Sequence, residues 1–310
     1  MNLSILTIVL IYFASNSDGN VFFSVPFYQH FNSYSSRYEY RGKNFFKLKN
    51  LIRKVSLDFP EVPYKSILLK RELITYQGIV NDTRRDHRYL QVHINGKSEY
   101  IILPPHHVVV EFYMHCGMKT FYCNKSPFKT YREARIYCEL LEEFSKFKSQ
   151  HILLGKNPLA SRIWRNTWRD CYYKCFSQNH FEELTIRFLR ELNMIRNINH
   201  YFPISYNKTL EFIAQNHALM NAKKNKLLVS DGERNKIYEV AAFISPVLAS
   251  LQINKWYNSY LEEQVYKNNS IKKRKKESKY FHLLLSPGIT EVGFGVILYR
   301  KTLSILITFM

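Results

Sequence analysis

Residues 180–226 read HFEELTIRFLRELNMIRNINHYFPISYNKTLEFIAQNHALMNAKKNK. Leu184, Phe188, Leu192 and Ile195 recur at steps of three and four, which places them on one face of a helix. Leu210, Ile213, Ala214, His217 and Asn221 repeat that spacing in a second helix. Pro203 cannot continue the first helix and biases Phe202 toward extended backbone. Asn207, three residues before Leu210, is the expected N-cap of the second. Two amphipathic helices and a turn are generic by themselves, so the flanking segments decide what they belong to.

Downstream, LLVSDGERN reads as a turn, and KIYEVAAFISPVLASLQINKWYNSYLEEQVY follows. Its part from Pro246 to Tyr266 has a helical pattern, with Val247, Leu251, Trp256 and Tyr260 near one face. Residues 268–279 form a polar loop that carries Lys272, Lys273, Arg274, Lys275 and Lys276. The final segment, HLLLSPGITEVGFGVILYRKTLSILITFM, gives two strands turning near Arg300–Lys301. Gly293 and Gly295 suit a close approach of backbone to the strand.

Upstream, residues 1–19 read as a signal peptide: an apolar run, NLSILTIVLIYF, followed by small and polar residues. The run is shorter than the ~20 apolar residues a membrane span needs. Residues 20–69 show no sustained period and are read as an irregular basic extension, with Pro60 and Pro63 breaking any helix. Residues 70–150 are expected to form a small β-hairpin and helix module. RYLQVHINGKSEYIIL alternates around Asn95–Gly96, a strong hairpin signal, and a second hairpin turns near Gly117. TYREARIYCELLEEFSKFK is a helix with Ala134, Tyr137, Cys138 and Leu141 on its apolar face, and Thr130 with Glu133 forms a capping box. Residues 151–179, with Pro158 and two Trp-containing turns, are read as a connector, and residues 180–310 as the last domain.

Lys plus Arg number 45 against 25 Asp plus Glu, a net charge of +20 that favours anionic partners: glycosaminoglycans, membrane surfaces or nucleic acid. Solubility alone is the plainer explanation. The 46% hydrophobic content excludes a disordered chain. Five cysteines, Cys116, Cys123, Cys138, Cys171 and Cys175, suit two disulfides and one odd thiol in an oxidising compartment, with the pairing left open. The Cys171–Cys175 spacing is no zinc knuckle, because no second pair or matched His accompanies it. Glycosylation sequons stand at Asn81, Asn207 and Asn268; one at Asn124 is weakened by Pro127.

Residues 182–309, about 40% of the chain, resemble the CAP superfamily of cysteine-rich secretory, antigen five and pathogenesis-related class one proteins. The resemblance rests on the ordered set FLRELNMIRNINHYFPISYNKTLEFIAQNHALMNAKKNKLL, NKWYNSYLEEQVY and KYFHLLLSPGITEVGFGVIL. The lead-in SRIWRNTWRDCYYKCFSQNHF is similar to that of secreted nematode CAP proteins with N-terminal extensions. The implied class is α+β: a three-layer α-β-α sandwich in the C-terminal half, preceded by the small β-rich module with one helix.

The family also implies a cavity lined by two His and two Glu that can hold a divalent metal. Transferred position by position, the first His falls on Ser230, the W-Y-x-E Glu on Ser259 and the second His on Tyr280, with His282 two residues beyond. Only Glu239 keeps a ligand, so Glu239 and His282 are the candidate cavity pair and no metal or cofactor is expected. One carboxylate beside Ser and Tyr is a poor divalent site, and no Ser-His-Asp or Cys-His set is spaced for catalysis. His217 is expected to be a hydrogen-bonded boundary histidine, and Trp256 and Tyr257 to be packing residues. The expected protein is therefore secreted and not an enzyme, a module that binds an extracellular protein partner or host factor. The alternatives are a sterol or lipid ligand, and a sulfated glycan bound through Lys272–Lys276. Nucleic acid is not expected outside the cell.

Overall fold

A computed structural model describes residues 21–32, 35–72, 74–75, 78–79, 88–92, 98–103, 107–115, 117–230, 232, 236–266 and 281–310. The candidate signal peptide, Cys116, the sequons at Asn81 and Asn268, Tyr280 and the Lys272–Lys276 loop lie outside them. The chain divides into two compact units, Met1–Glu143 and Phe144–Met310.

The first unit is built on strand β1 (Phe22–Asn32). Strands β2 (Ser35–Tyr40) and β3 (Lys43–Phe45) follow, then helix α1 (Leu48–Asp58) and strand β4 (Ile67–Glu72). Two short strands, β5 (Ile74–Thr75) and β6 (Gly78–Ile79), pair only with each other. Next come β7 (Arg88–Val92), β8 (Ser98–Ile102), β9 (Val109–His115), β10 (Met118–Cys123), β11 (Ser126–Phe128) and helix α2 (Tyr131–Ser145). The sheet runs β11-β10-β9-β1-β4-β7-β8, with β2 and β3 attached beside β1. Both hairpins read from the sequence are present as antiparallel pairs, β7–β8 and β9–β10.

Residues 20–69 are thus not an irregular extension, because β1 is the central strand and runs parallel to both β4 and β9. Phe23, Val25 and Phe27 are buried on one side of it, but Phe22, Pro26 and Tyr28 alternate with them and hide the period of two. Pro26 argues against a central strand. It is tolerated between the last β9 pair, Ser24↔Glu111, and the first β2 pair, Tyr28↔Glu39, where only β4 borders β1. Helix α1 buries Leu51, Ile52 and Val55, and stops one residue before the Phe59–Pro60 pair. Helix α2 starts at the expected capping box: the Thr130 and Glu133 side chains each accept the other's backbone N–H at 3.2 Å. A Cys123–Cys138 disulfide joins β10 to α2.

The second unit contains α3 (Pro158–Trp168), α4 (Tyr173–Phe176), α5 (Gln178–Ile198), β12 (Ser205–Tyr206), α6 (Lys208–Lys224), β13 (Tyr238–Ile244), α7 (Gln252–Tyr266), α8 (Phe281–Leu284), β14 (Glu291–Tyr299) and β15 (Thr302–Phe309). Residues 151–179 are therefore no mere connector. Asn157 caps α3 by accepting the Leu159 and Ala160 N–H groups, and Pro158 occupies the first turn, where its missing N–H costs nothing. Cys171 and Cys175 form the second disulfide.

Four strands in the order β12-β14-β15-β13 make the sheet of this unit. Helix α6 covers one face. A β-carbon on Gly293 would stand 2.1 Å from the Glu211 nitrogen, and one on Gly295 would stand 2.1 Å from the Ala214 oxygen. The two glycines therefore let the helix backbone sit directly on β14. Ala214, Ala218, Ala241 and Leu306 form the small-residue core beneath it. On the other face, Phe188 of α5 meets Phe294 at a ring separation of 6.2 Å. The unit is an α-β-α sandwich, and the chain as a whole is α+β. Asn207 caps α6 as expected, accepting from Thr209 and Leu210.

Candidate functional site

Strand β13 places Glu239 beneath α6. The register sets Glu239 opposite Thr308 of β15, which in turn faces Gly293 of β14. Because strand side chains alternate, these positions share the face that α6 covers. Glu239 is 1% exposed. His217 Nδ1 lies 2.7 Å from its Oε1, and Thr308 Oγ1 donates to the same oxygen at 3.4 Å. Its Oε2 accepts the Ser230 backbone N–H at 2.8 Å. Where the carboxylate oxygen accepts, Nδ1 is the donor of this contact.

One turn further along α6, the Asn221 amide donates to the Leu228 carbonyl at 2.9 Å and accepts the Leu228 N–H at 3.1 Å. His217 and Asn221, the two polar positions on an otherwise apolar helix face, thus fasten residues 228–230 to helix and strand. Sequence reading foresaw a hydrogen-bonded His217 but not its partner. The signal was present: a histidine on the inner face of a helix needs a polar group from the sheet, and Glu239 has the inward parity.

The hydrogen bonds to the Glu239 carboxylate come from α6, from Ser230 and from β15, and none of these three is to His282. His282 lies half-buried on α8 and Ser259 half-buried on α7. Ser230 meets Glu239 through its backbone rather than as a ligand. Trp256 and Tyr257 are each 2% exposed, and Trp256 packs on Phe281, as packing residues should.

The donor set does not fit the divalent metal that the resemblance implies. Both Glu239 oxygens are engaged by the fold, and among the described residues His217 is the only imidazole hydrogen-bonded to them, whereas zinc needs three or four N, S or O ligands. Elsewhere, Cys171, Cys175 and Glu183 approach within 4.8 Å, but the two sulfurs are bonded to each other and are not thiolates. The sequon at Asn207 is also diverted. Its amide nitrogen donates to Glu291 at 2.7 Å while its oxygen caps α6, which competes with glycan attachment.

Two other ionisable side chains, Arg196 and Glu191, are buried among the described residues of this unit, and sequence reading missed both. Arg196, 1% exposed, donates to the Phe202, Leu284, Ser286 and Ile289 carbonyls at 2.7–2.9 Å. Glu191 accepts the Trp168 indole N–H at 2.7 Å. Burial pushes the Glu191 carboxyl up to about 8, and the indole bond offsets only part of that. Both are structural: Arg196 gathers the chain around residues 284–289, and Glu191 anchors α3 on α5.

Residues 19–140 match a family described as a domain of unknown function (DUF7381). No curated protein matches the chain. Among solved structures, part of the chain is similar to a hookworm platelet inhibitor, at 15% identity over 42% of this chain and 69% of that one, with a TM-score of 0.31. It is similar to venom allergen-like protein 4 from Schistosoma mansoni at 16% identity over 39% and 82%, with a TM-score of 0.30. It is also similar to an extracellular protein containing an SCP domain from Bacillus anthracis at 14% identity over 40% and 39%, with a TM-score of 0.27. Among the described residues, no helix is long and apolar enough to cross a membrane.

Proposed function

We propose that the protein is a secreted, non-catalytic CAP-type module that acts by binding an extracellular protein partner or host factor. The observation that carries this reading is the state of Glu239. Both its oxygens are held by His217, Ser230 and Thr308, so the position where the family keeps a ligand has become a fastening of the fold. A divalent metal needs further donors, and among the described residues the only imidazole hydrogen-bonded to this carboxylate is that of His217. The two disulfides suit an oxidising compartment.

Two measurements test it. Expression of the full chain should deliver protein to the medium with residues 1–19 removed, and retention of that segment inside the cell would count against secretion. Stoichiometric zinc or copper should leave the melting temperature unchanged, and a clear rise would overturn the degenerate cavity.

A second reading, a small largely apolar ligand such as a sterol, is favoured by a cavity of about 650 Å³ in the first unit, lined by Pro26, Tyr28, Tyr40, Phe112, Tyr113 and Met114 together with the charged Arg41 and Glu72. Saturable uptake of a labelled sterol would support it, and its absence would dismiss it.

A further inference from the structure

Helix α3 buries Ala160, Ile163, Trp164, Thr167 and Trp168. Both indole N–H groups are used inside, Trp164 on the Ser250 carbonyl at 2.8 Å and Trp168 on Glu191 at 2.7 Å. Beside this helix lies a cavity of about 850 Å³, lined among others by Arg162, Arg165, Arg169, Ser161, Asn166 and Tyr172. The three arginines are exposed and fall at steps of three and four. Arg162 and Arg165 lie on α3 and Arg169 is its C-cap residue, so together they form one row about 10 Å long at ~1.5 Å per residue.

The row is nearly uncompensated. Asp170 stands 3.8 Å from Arg169, but the two side chains are 86% and 88% exposed, so water screens the pair. Arg162 and Arg165 have no ion-pair partner among the described residues. Like charges at neighbouring helical positions repel one another. Lining a concave surface, they concentrate positive potential where an anionic ligand would sit.

We propose that this row binds a linear sulfated polysaccharide. One sulfate would need neither a cation row of this length nor a cavity of this size. The guanidinium groups match anionic oxygens in forked geometry, and Ser161, Asn166 and Tyr172 offer partners for sugar hydroxyls. Single-stranded nucleic acid would call for a series of exposed aromatic platforms; Trp164 and Trp168 are 5% and 1% exposed, which leaves Tyr172 and His151 as the accessible rings of the lining. The Cys171–Cys175 disulfide flanks the lining residue Tyr172 and suits an extracellular setting. The choice of polyanion rests on the extracellular reading above; the cation row does not. The row shares no residue with Lys272–Lys276.

Binding of a heparin hexasaccharide to the full-length protein tests the site. The triple variant Arg162→Gln, Arg165→Gln, Arg169→Gln should bind at least about tenfold more weakly, with a shallower salt dependence. Chemically desulfated hexasaccharide should bind the parent as weakly, and neutralising Lys272–Lys276 should leave the arginine-dependent part intact. Should the triple variant misfold, arginine-selective modification of the unaltered protein replaces it: the hexasaccharide should protect Arg162, Arg165 and Arg169. Unchanged affinity of a folded triple variant, no protection, or tighter binding of an oligothymidylate of equal charge would overturn the proposal. A chain retained inside the cell that still binds the hexasaccharide through the row would uphold the site and remove the extracellular reading.

Discussion

His217 and Glu239, 22 positions apart, meet at 2.7 Å between imidazole Nδ1 and carboxylate Oε1. The contact ties helix α6 to the edge strand β13. The same carboxylate holds the Ser230 backbone through its second oxygen, so one side chain fixes a helix, a strand and the loop between them.

Replacing Glu239 with Ala strands the Ser230 N–H, the Thr308 hydroxyl and the imidazole N–H together. A loss of about 2–4 kcal/mol is expected in urea unfolding. His217→Ala should cost less, because the histidine side chain is 39% exposed and water can replace it. Equal costs for the two variants would refute the central role given to the carboxylate.

Gly295→Ala drives a methyl group against the Ala214 backbone, and helix α6 must lift from the sheet to admit it. A loss of about 1–3 kcal/mol is expected. Gly288→Ala is the control, since nothing lies within 4 Å of its added carbon. Thermal melts that show the two variants alike would contradict the close packing.

Glu191 gives the stability a pH dependence of known sign. Its folded pKa, about 8, lies above the ordinary value of 4.5. The folded state therefore holds a proton that the unfolded chain releases. The favourable contribution is complete below about pH 4.5 and is lost as pH rises through about 8. Glu191→Gln keeps an oxygen for the Trp168 indole and removes the titration. Its stability curve should be flatter between pH 4.5 and 8 and should exceed the parent's at pH 8. Parallel curves for parent and variant would dispose of this assignment.

Arg196→Met removes the donor that four carbonyls share. The carbonyls stay buried, so the expected loss exceeds about 3 kcal/mol. Arg196→Lys should rescue only part of it, because an ammonium has three donors and no planar fork. Denaturant midpoints of the three proteins give the comparison.

The C-terminal unit was legible where polar and apolar residues followed one period. Leu184, Phe188, Leu192 and Ile195 are fully buried on α5, Asn207 caps α6, and Gly293 and Gly295 admit the helix. The first unit was harder to read. Phe and Tyr occupy both faces of β1, and a proline sits inside it, so neither alternation nor propensity marks a central parallel strand. Helix α1 did carry a signal, Leu48, Leu51, Ile52 and Val55, with Pro60 as its stop. At the site, transfer by resemblance tests only positions the family uses. It identified Glu239 but could not show that the histidine beside it would come from α6.

Strand β15 lies between β14 and β13, although both precede it in the chain. The two earlier strands have no direct pairing with each other, so neither can complete its ladder until the segment through Phe309 is available. During synthesis β13 must wait with its ladder unpaired until β15 emerges. Such late, long-range closure makes folding slow and leaves the nascent chain open to aggregation. A chaperone would be needed most over the interval between the emergence of β13 and that of β15.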